Sequence, residues 1–471
     1  MADEALRKEV DAYVDEVWPD VLADMNALIS INSVADPKKA EDGAPYGPEA
    51  HKALTCALGI AEKLGLEPHD FKGYIGYGEL KGASDKQVAT IAHVDVVPVG
   101  TGWNFEPLQL TQKDGYLLGR GVLDDKGPAI LSLYAAHYFV RRVKQTGAPL
   151  PYTLRAMLGS DEELGMSDIK HYLAENEAPA FAFTPDANFP VGCGEKGHFG
   201  CTFSSPKFKD GTVVKFEGGT VSNAIPGLAS VKIRANAADL PAAEGIDVKP
   251  AGEGLATLTA HGKGGHASLP AGTKNAIGML VEYLREHDLL TDQEKPFFEL
   301  LHAIHGSTDG STLGIAATDD VFDPLTCIGG TISTRCGVIS QTIDSRYPKS
   351  ITGEEITERV TSLAKEFGGK VKDAKFTVPF LTDPKSAPVQ ALADVYTEVT
   401  GRPGTPFTMG GGTYARNFPK AVSFGPEDAA VANPDWVGIM HGPDEGVNEE
   451  LMKTSLKIYI LALDRLMGLE L

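Results

Sequence analysis

Several features that would point to particular protein classes are missing from these 471 residues. There are only five cysteines and no CxxC pair, which excludes a disulfide framework or a four-cysteine zinc module and fits a reducing cytoplasm. No segment approaches the roughly 18 consecutive apolar residues that a membrane helix needs. The first helix-like stretch, from Met1 onward, is acidic throughout, whereas a signal peptide wants a basic start and a short uninterrupted apolar core. There is no basic block to offset the net charge of −21, so nucleic acid and anionic membrane surfaces are poor partners. Neither GxxxxGK[ST] nor HExxH occurs, which argues against a phosphate loop and a zincin helix. Low-complexity segments and internal repeats are also absent. What remains is a soluble, globular composition, long enough for two domains.

The organisation is α/β at both ends and different in the middle. A strand over Val88–Ala92, a second at "GYLLGRG", a helix through "GPAILSLYAAHYFVRRV" with Pro128 at its first position, the strand "YTLRAMLGS", the helix "SDIKHYLAEN" and the strand "AFAFTPDA" alternate. That alternation predicts a mostly parallel sheet with helices on both faces. From about Glu195 to Phe380, short β-like runs with a few helices predict an inserted α+β domain. The expected boundaries are 1–195 and 380–471 for the two parts of the first domain and 196–379 for the insertion.

The acidic and imidazole side chains of the first part cluster at one kind of place. His93 and Asp95 follow one predicted strand, Asp124 and Asp125 another, Glu162 and Glu163 a third, and Asp186 a fourth. Ligands of open α/β sheets bind outside the carboxyl ends of strands, so these segments can converge on one crevice. Imidazole with several carboxylates suits zinc or another first-row ion. Two cations about 3.5–4 Å apart would neutralise an acid cluster that otherwise could not all ionise. Taken singly, each residue has a structural reading: Asp124 or Asp125 caps the following helix, His93 ends a strand, and "DEEL" is a solvated turn. "ELLHAIHG", with His302 and His305 near Glu299, reads as a helix face, and Cys193 and Cys201 as ordinary thiols.

The motifs "AHVDVVP", "GRGVLDDKGP", "SDEELG", "TPDA", "GHASLP", "GGGTYAR" and "MHGPDE", in this order, resemble the co-catalytic zinc metallopeptidase family that includes aminoacylase, succinyl-diaminopimelate desuccinylase and glutamate carboxypeptidase. Chain length and the forms "GCGEKG" and "GGGTYAR" look most like its peptidase V type dipeptidases. The resemblance implies two Zn²⁺ per chain, with Mn²⁺ or Co²⁺ as substitutes. His93 and Asp186 would complete one site and Glu163 and His441 the other, with Asp124 bridging both and the Asp124–Asp125 peptide cis. It implies further that Glu162 is the general base acting on a water held between the metals, and that Asp95 orients His93. His266 of the inserted lid domain would donate to the oxyanion, and Asn223 and Arg346 would hold the substrate's carboxyl end, with Thr413 lining the pocket. The expected activity is hydrolysis of dipeptides with a free amino terminus by a cytoplasmic monomer, with N-acyl-amino-acid deacylation as the alternative. A magnesium phosphotransferase and a silent binding protein fit the motifs less well.

Overall fold

The computed structural model describes residues 2–471. The chain forms two compact units. One comprises the segments up to Gly194, Leu381–Phe407 and Gly412–Leu471; the other comprises Glu195–Phe380 and Thr408–Gly411. Together they make a mixed α/β architecture of large sheets flanked by helices.

In the first unit the chain runs α1 (Ala2–Ile29), α2 (Pro48–Lys63), β1 (Glu67–Phe71), β2 (Ile75–Leu80), β3 (Ser84–His93), β4 (Thr111–Lys113), β5 (Tyr116–Leu118), α3 (Lys126–Thr146), β6 (Tyr152–Gly159), α4 (Ser167–Glu175) and β7 (Phe181–Thr184). The sheet order is β1-β2-β6-β3-β7, followed by Ala421–Ser423. β6, β3, β7 and Ala421–Ser423 run parallel, while β1 and β2 form an antiparallel edge. From Val88 to His93 every residue of β3 is buried. That is the signature of a central strand covered on both faces, where an apolar run replaces alternation.

α1 presents Val10, Val14, Val17, Val21, Met25 and Leu28 to the core at helical spacing, and it packs with α3 and the terminal helix Glu449–Met467. α3 starts at Lys126, two residues before the sequence-based expectation. Pro128 is still tolerated there, because the first backbone N–H groups of a helix have no intrahelical acceptor.

Parallel register positions the site. His93 lies opposite Gly159, and Thr90 opposite both Ala156 and Phe183. The carboxyl ends of β3, β6 and β7 are therefore level, and the residues just beyond them emerge on one rim of the sheet.

The second unit is an eight-stranded antiparallel sheet in which Val338–Tyr347 is flanked by Thr326–Arg335 and Gly197–Ser204. Helix Ala276–Glu286 buries Ile277, Leu280, Val281 and Leu284 on one face. Helix Lys295–His305 carries the "ELLHAIHG" residues. Glu299 pairs with Arg285 and His302 lies against Glu282, so each already has a partner within the second unit. Burial holds the His305 imidazole down to about 4, with the nearby His302 working in the same direction. A histidine neutral in the folded state and ionisable in the unfolded one lends stability above about pH 6.5 that drains away as pH falls toward 4. The His305 ring protons should accordingly show no titration above pH 5 in an NMR pH series, and His305→Gln should flatten the fall of unfolding free energy between pH 6.5 and 4. A His305 midpoint near 6.5 would contradict this.

A two-metal centre at the strand ends

His93 ends β3 fully buried, with Asp95 two residues on and equally buried. The His93 ring Nδ1 lies 3.0 Å from the Asp95 carbonyl oxygen and 3.4 Å from its carboxylate. A proton on Nδ1 donated to that carbonyl leaves the Nε2 lone pair for a metal. The Asp95 carboxylate also accepts the backbone N–H groups of Glu162 (3.3 Å) and Glu163 (3.2 Å). One buried acid thus steadies both the imidazole and the turn that carries the two glutamates.

The Asp124–Asp125 peptide is cis. Asp125 stands at the N-cap position of α3, but its side chain makes no capping bond; its Oδ2 instead accepts the His93 backbone N–H at 3.0 Å. The loop before it is compact. Gly121 has a φ of 86°, a left-handed conformation that glycine adopts without a Cβ penalty. Lys126, buried, donates to the carbonyls of Leu28 and Ile31 and pins this loop to the end of α1.

Asp124 lies between two imidazoles. Its Oδ1 is 2.9 Å from His93 Nε2 and its Oδ2 is 2.8 Å from His441 Nε2. His441 Nε2 is also 3.1 Å from Glu163 Oε1. Asp186, just beyond β7, has a carboxylate oxygen 4.0 Å from His93 Nε2. Two groups of donor atoms, each within 4.8 Å of one another, result: His93, Asp124 and Glu163, and His93, Glu162 and Asp186. Glu162 therefore lies at the rim of a metal-sized space. His441 is half exposed at the side chain, so the centre is open to solvent on that side.

The electrostatics describe a site short of positive charge. Burial, followed by the charge of Asp186, drives the Glu162 carboxyl well above the usual range; burial, followed by Asp124, does the same to Asp186. Burial opposes ionisation of Asp124 as well, but His441 and His93 outweigh it and hold that carboxyl far down. Burial disfavours a charged His93, yet Asp124 and Asp95 raise its pKa well above normal. His441 rises to about 10 against the same burial penalty, through Asp124 and Glu163. A mixed imidazole and carboxylate donor set with this demand for cations fits two divalent first-row metals.

Sequence motifs alone left two supporting networks unassigned. In the first, Asp168 accepts the backbone N–H groups of Ser160 (2.8 Å) and Asp161 (3.1 Å) and the hydroxyl of Tyr414 (2.5 Å). Tyr414 fits because position 159 is glycine: a Cβ there would lie 1.9 Å from its hydroxyl oxygen. Thr413 is buried and caps the short turn Tyr414–Asn417, its Oγ1 accepting the Ala415 N–H. In the second, Glu445 and Arg120 form a fully buried ion pair beneath the Asp124 loop. Arg120, Tyr414 and Glu445 lie in motifs already quoted for other residues, and Asp168 only in a predicted helix.

In the second unit, His266 is exposed and Asn223 is exposed. Arg346 is largely buried, with its guanidinium fork on Asp344 (2.8 and 3.2 Å) and a bond to the Gly410 carbonyl.

A parallel-stranded α/β sheet whose strand ends bring two imidazole and carboxylate clusters together defines a metal-dependent hydrolase of the two-metal class. Residues 89–465 match the sequence model of peptidase family M20/M25/M40, and the chain belongs to that family as a di-zinc metallopeptidase. It is 30% identical over 477 residues to a Staphylococcus haemolyticus protein bearing the name "Putative dipeptidase", covering 96% of this chain and 97% of that one. Its fold is similar to that of human carnosine dipeptidase 1 (TM-score 0.58, 14% identity, 98% of this chain and 100% of that one). It is also similar to that of an M20 family metallo-carboxypeptidase from Sulfolobus solfataricus (TM-score 0.58, 14% identity, 95% and 99%).

Asp95→Ala is expected to weaken metal binding about 10–100-fold, the usual cost of losing a group that orients metal ligands. Competition against a chromophoric chelator measures this, and an unchanged affinity would remove Asp95 from the account.

Proposed function

We propose that this chain is a dipeptidase that hydrolyses dipeptides with a free amino terminus, acting as a monomer in the cytoplasm. The observation that carries the reading is the pair of imidazole and carboxylate clusters with Glu162 at their edge, in a chain similar along nearly its whole length to a protein named as a dipeptidase. No helix among the described residues is long and apolar enough to cross a membrane, and all five cysteines are free thiols. Both facts suit the proposed location.

In this reading His93, Asp124 and Asp186 hold one metal, and Asp124, Glu163 and His441 the other. Bound there, divalent cations supply Lewis-acid polarisation of the scissile carbonyl and bring a water's pKa from about 15.7 toward 7. Glu162 takes the proton of the attacking water and returns it to the leaving amine. Asp95 keeps Glu162 on station through the backbone of its turn.

His266 donates to the developing oxyanion from the inserted lid unit. Its Nδ1 accepts the Ser268 backbone N–H at 3.2 Å, which places the ring proton on Nε2, the tautomer a donor role requires. Asn223 and Arg346 hold the substrate's carboxylate, Arg346 being pre-positioned by Asp344, and Thr413 lines the pocket. Closure of the lid over both ends of the substrate limits its length.

Metal-loaded protein should turn over plain dipeptides and leave tripeptides, N-acetyl and N-succinyl amino acids largely untouched. Glu162→Ala should lower kcat by about 10²–10⁴-fold, and His266→Ala by about 10²–10³-fold. Turnover confined to acylated amino acids would move the chain to the deacylase branch. No turnover of any substrate, with metals bound, would refute hydrolysis.

A further inference from the structure

The Asp124 loop and the His441 segment are more than 300 residues apart in sequence, yet their side chains must meet within a few tenths of an ångström to share a metal. Neither segment is regular secondary structure at the ligand itself. His441 has a φ of 63° and Asp444 a φ of 55°, left-handed values that non-glycine residues hold only when surroundings impose them. Asp444 is held through its carboxylate by Asn104 and Phe105, and the His441 carbonyl is held by Arg120, itself paired with Glu445.

Glu445 is completely buried. Its Oε1 accepts three backbone N–H groups of the loop, from Gly121 (3.0 Å), Leu123 (3.1 Å) and Asp124 itself (3.2 Å). Its Oε2 accepts the Arg120 guanidinium. The other arm of that guanidinium, Nη2, donates back to the carbonyl of His441 at 3.2 Å and to that of Val99 at 3.4 Å. The guanidinium carbon stands 5.2 Å from the centre of the Trp103 ring. Main-chain pairing of Gly446 with Leu118 and the Asn104 and Phe105 bonds to the Asp444 carboxylate bring the two segments together, but none of these reaches the Asp124 amide or the His441 carbonyl. The Arg120–Glu445 pair closes that gap, gripping one ligand by its amide and the other by its carbonyl.

We propose that Arg120 and Glu445 are positioning residues that set the Asp124–His441 spacing, so that they govern the affinity of the metal site containing His441 more strongly than that of the site completed by Asp186. The inference rests on the two-metal reading above. Its selectivity follows from the geometry. Asp124 serves both sites, but His441 serves only one; His93 and Asp186, the other site's own ligands, are held by β3, β7 and the Asp125 and Asp95 contacts, none of which involves Arg120 or Glu445. A neutral amide at position 445 keeps one acceptor oxygen but cannot serve three amides and a guanidinium together. Lysine at position 120 keeps the charge but has no planar fork to reach both Glu445 and the His441 carbonyl.

The test is Zn²⁺ titration of chelator-stripped full-length protein against a chromophoric competitor, with Co²⁺ absorption spectra of the same preparations. Wild type should show two sites. Glu445→Gln and, independently, Arg120→Lys should each weaken one site about 10–100-fold and the other, which shares only Asp124 with it, by distinctly less. The d–d bands of the weakened site should change more than those of the retained site. Retention of one site in the same molecule reports intact folding, which general loss of packing would not permit. Equal weakening of both sites, or no change in either, would overturn the inference with the two-metal reading intact. A wild type that takes up fewer than two ions would overturn both, and a wild type with two ions but no dipeptide turnover would overturn only the proposed activity.

Discussion

The constraint on which this structure turns is charge neutrality at Asp124. A carboxylate that is nearly inaccessible to water, adjacent in sequence to a second buried acid and faced by Glu162, Glu163 and Asp186, can ionise only if cations approach it from both sides. In the metal-free chain the two imidazoles, His93 and His441, fill that role, and their pKa values rise accordingly. Divalent cations held by these residues would take over that role, since a ligating imidazole must be neutral. The fold brings strand ends level so that this exchange can occur at one point.

That arrangement divides the work between rigid and adaptable parts. β3, β6 and β7 are central, parallel and buried, and they fix His93, the Glu162 turn and Asp186 with the precision of a sheet register. Asp124 and His441 arrive on loops and need buried polar contacts to hold them. Asp168 with Tyr414 secures the turn before Glu162, and Glu445 with Arg120 secures the other side. Buried ion pairs seldom add much stability against an apolar alternative. Here they instead give position to irregular backbone that would otherwise be loose, and the cost of their desolvation is spent where ligand geometry matters most.

Much of this was legible in the sequence, for identifiable reasons. Apolar runs such as Val88–Ala92 predict central strands, and acidic residues placed directly after successive strands predict a crevice of carboxylates. The motif order added the second histidine, which no periodicity would have drawn from residue 441. Less legible was the detail that depends on tertiary partners. Asp125 occupies a cap position but spends its side chain on the His93 amide, a choice that strand pairing decides and local sequence cannot. α3 begins at Lys126 and not at Pro128 because the Asp125 carbonyl already accepts the Ala129 N–H. Glu445 and Arg120 gave no signal of their own, since an arginine before a glycine and a glutamate after an aspartate are ordinary on any surface until the chain buries them together.

The most direct test of the central claim is anomalous diffraction at the zinc edge from crystals of metal-loaded protein. The account requires two peaks about 3.5–4 Å apart, one on either side of the Asp124 carboxylate, with His93 and Asp186 at one and Glu163 and His441 at the other. A single peak, or two peaks that leave Asp124 uncoordinated, would contradict it.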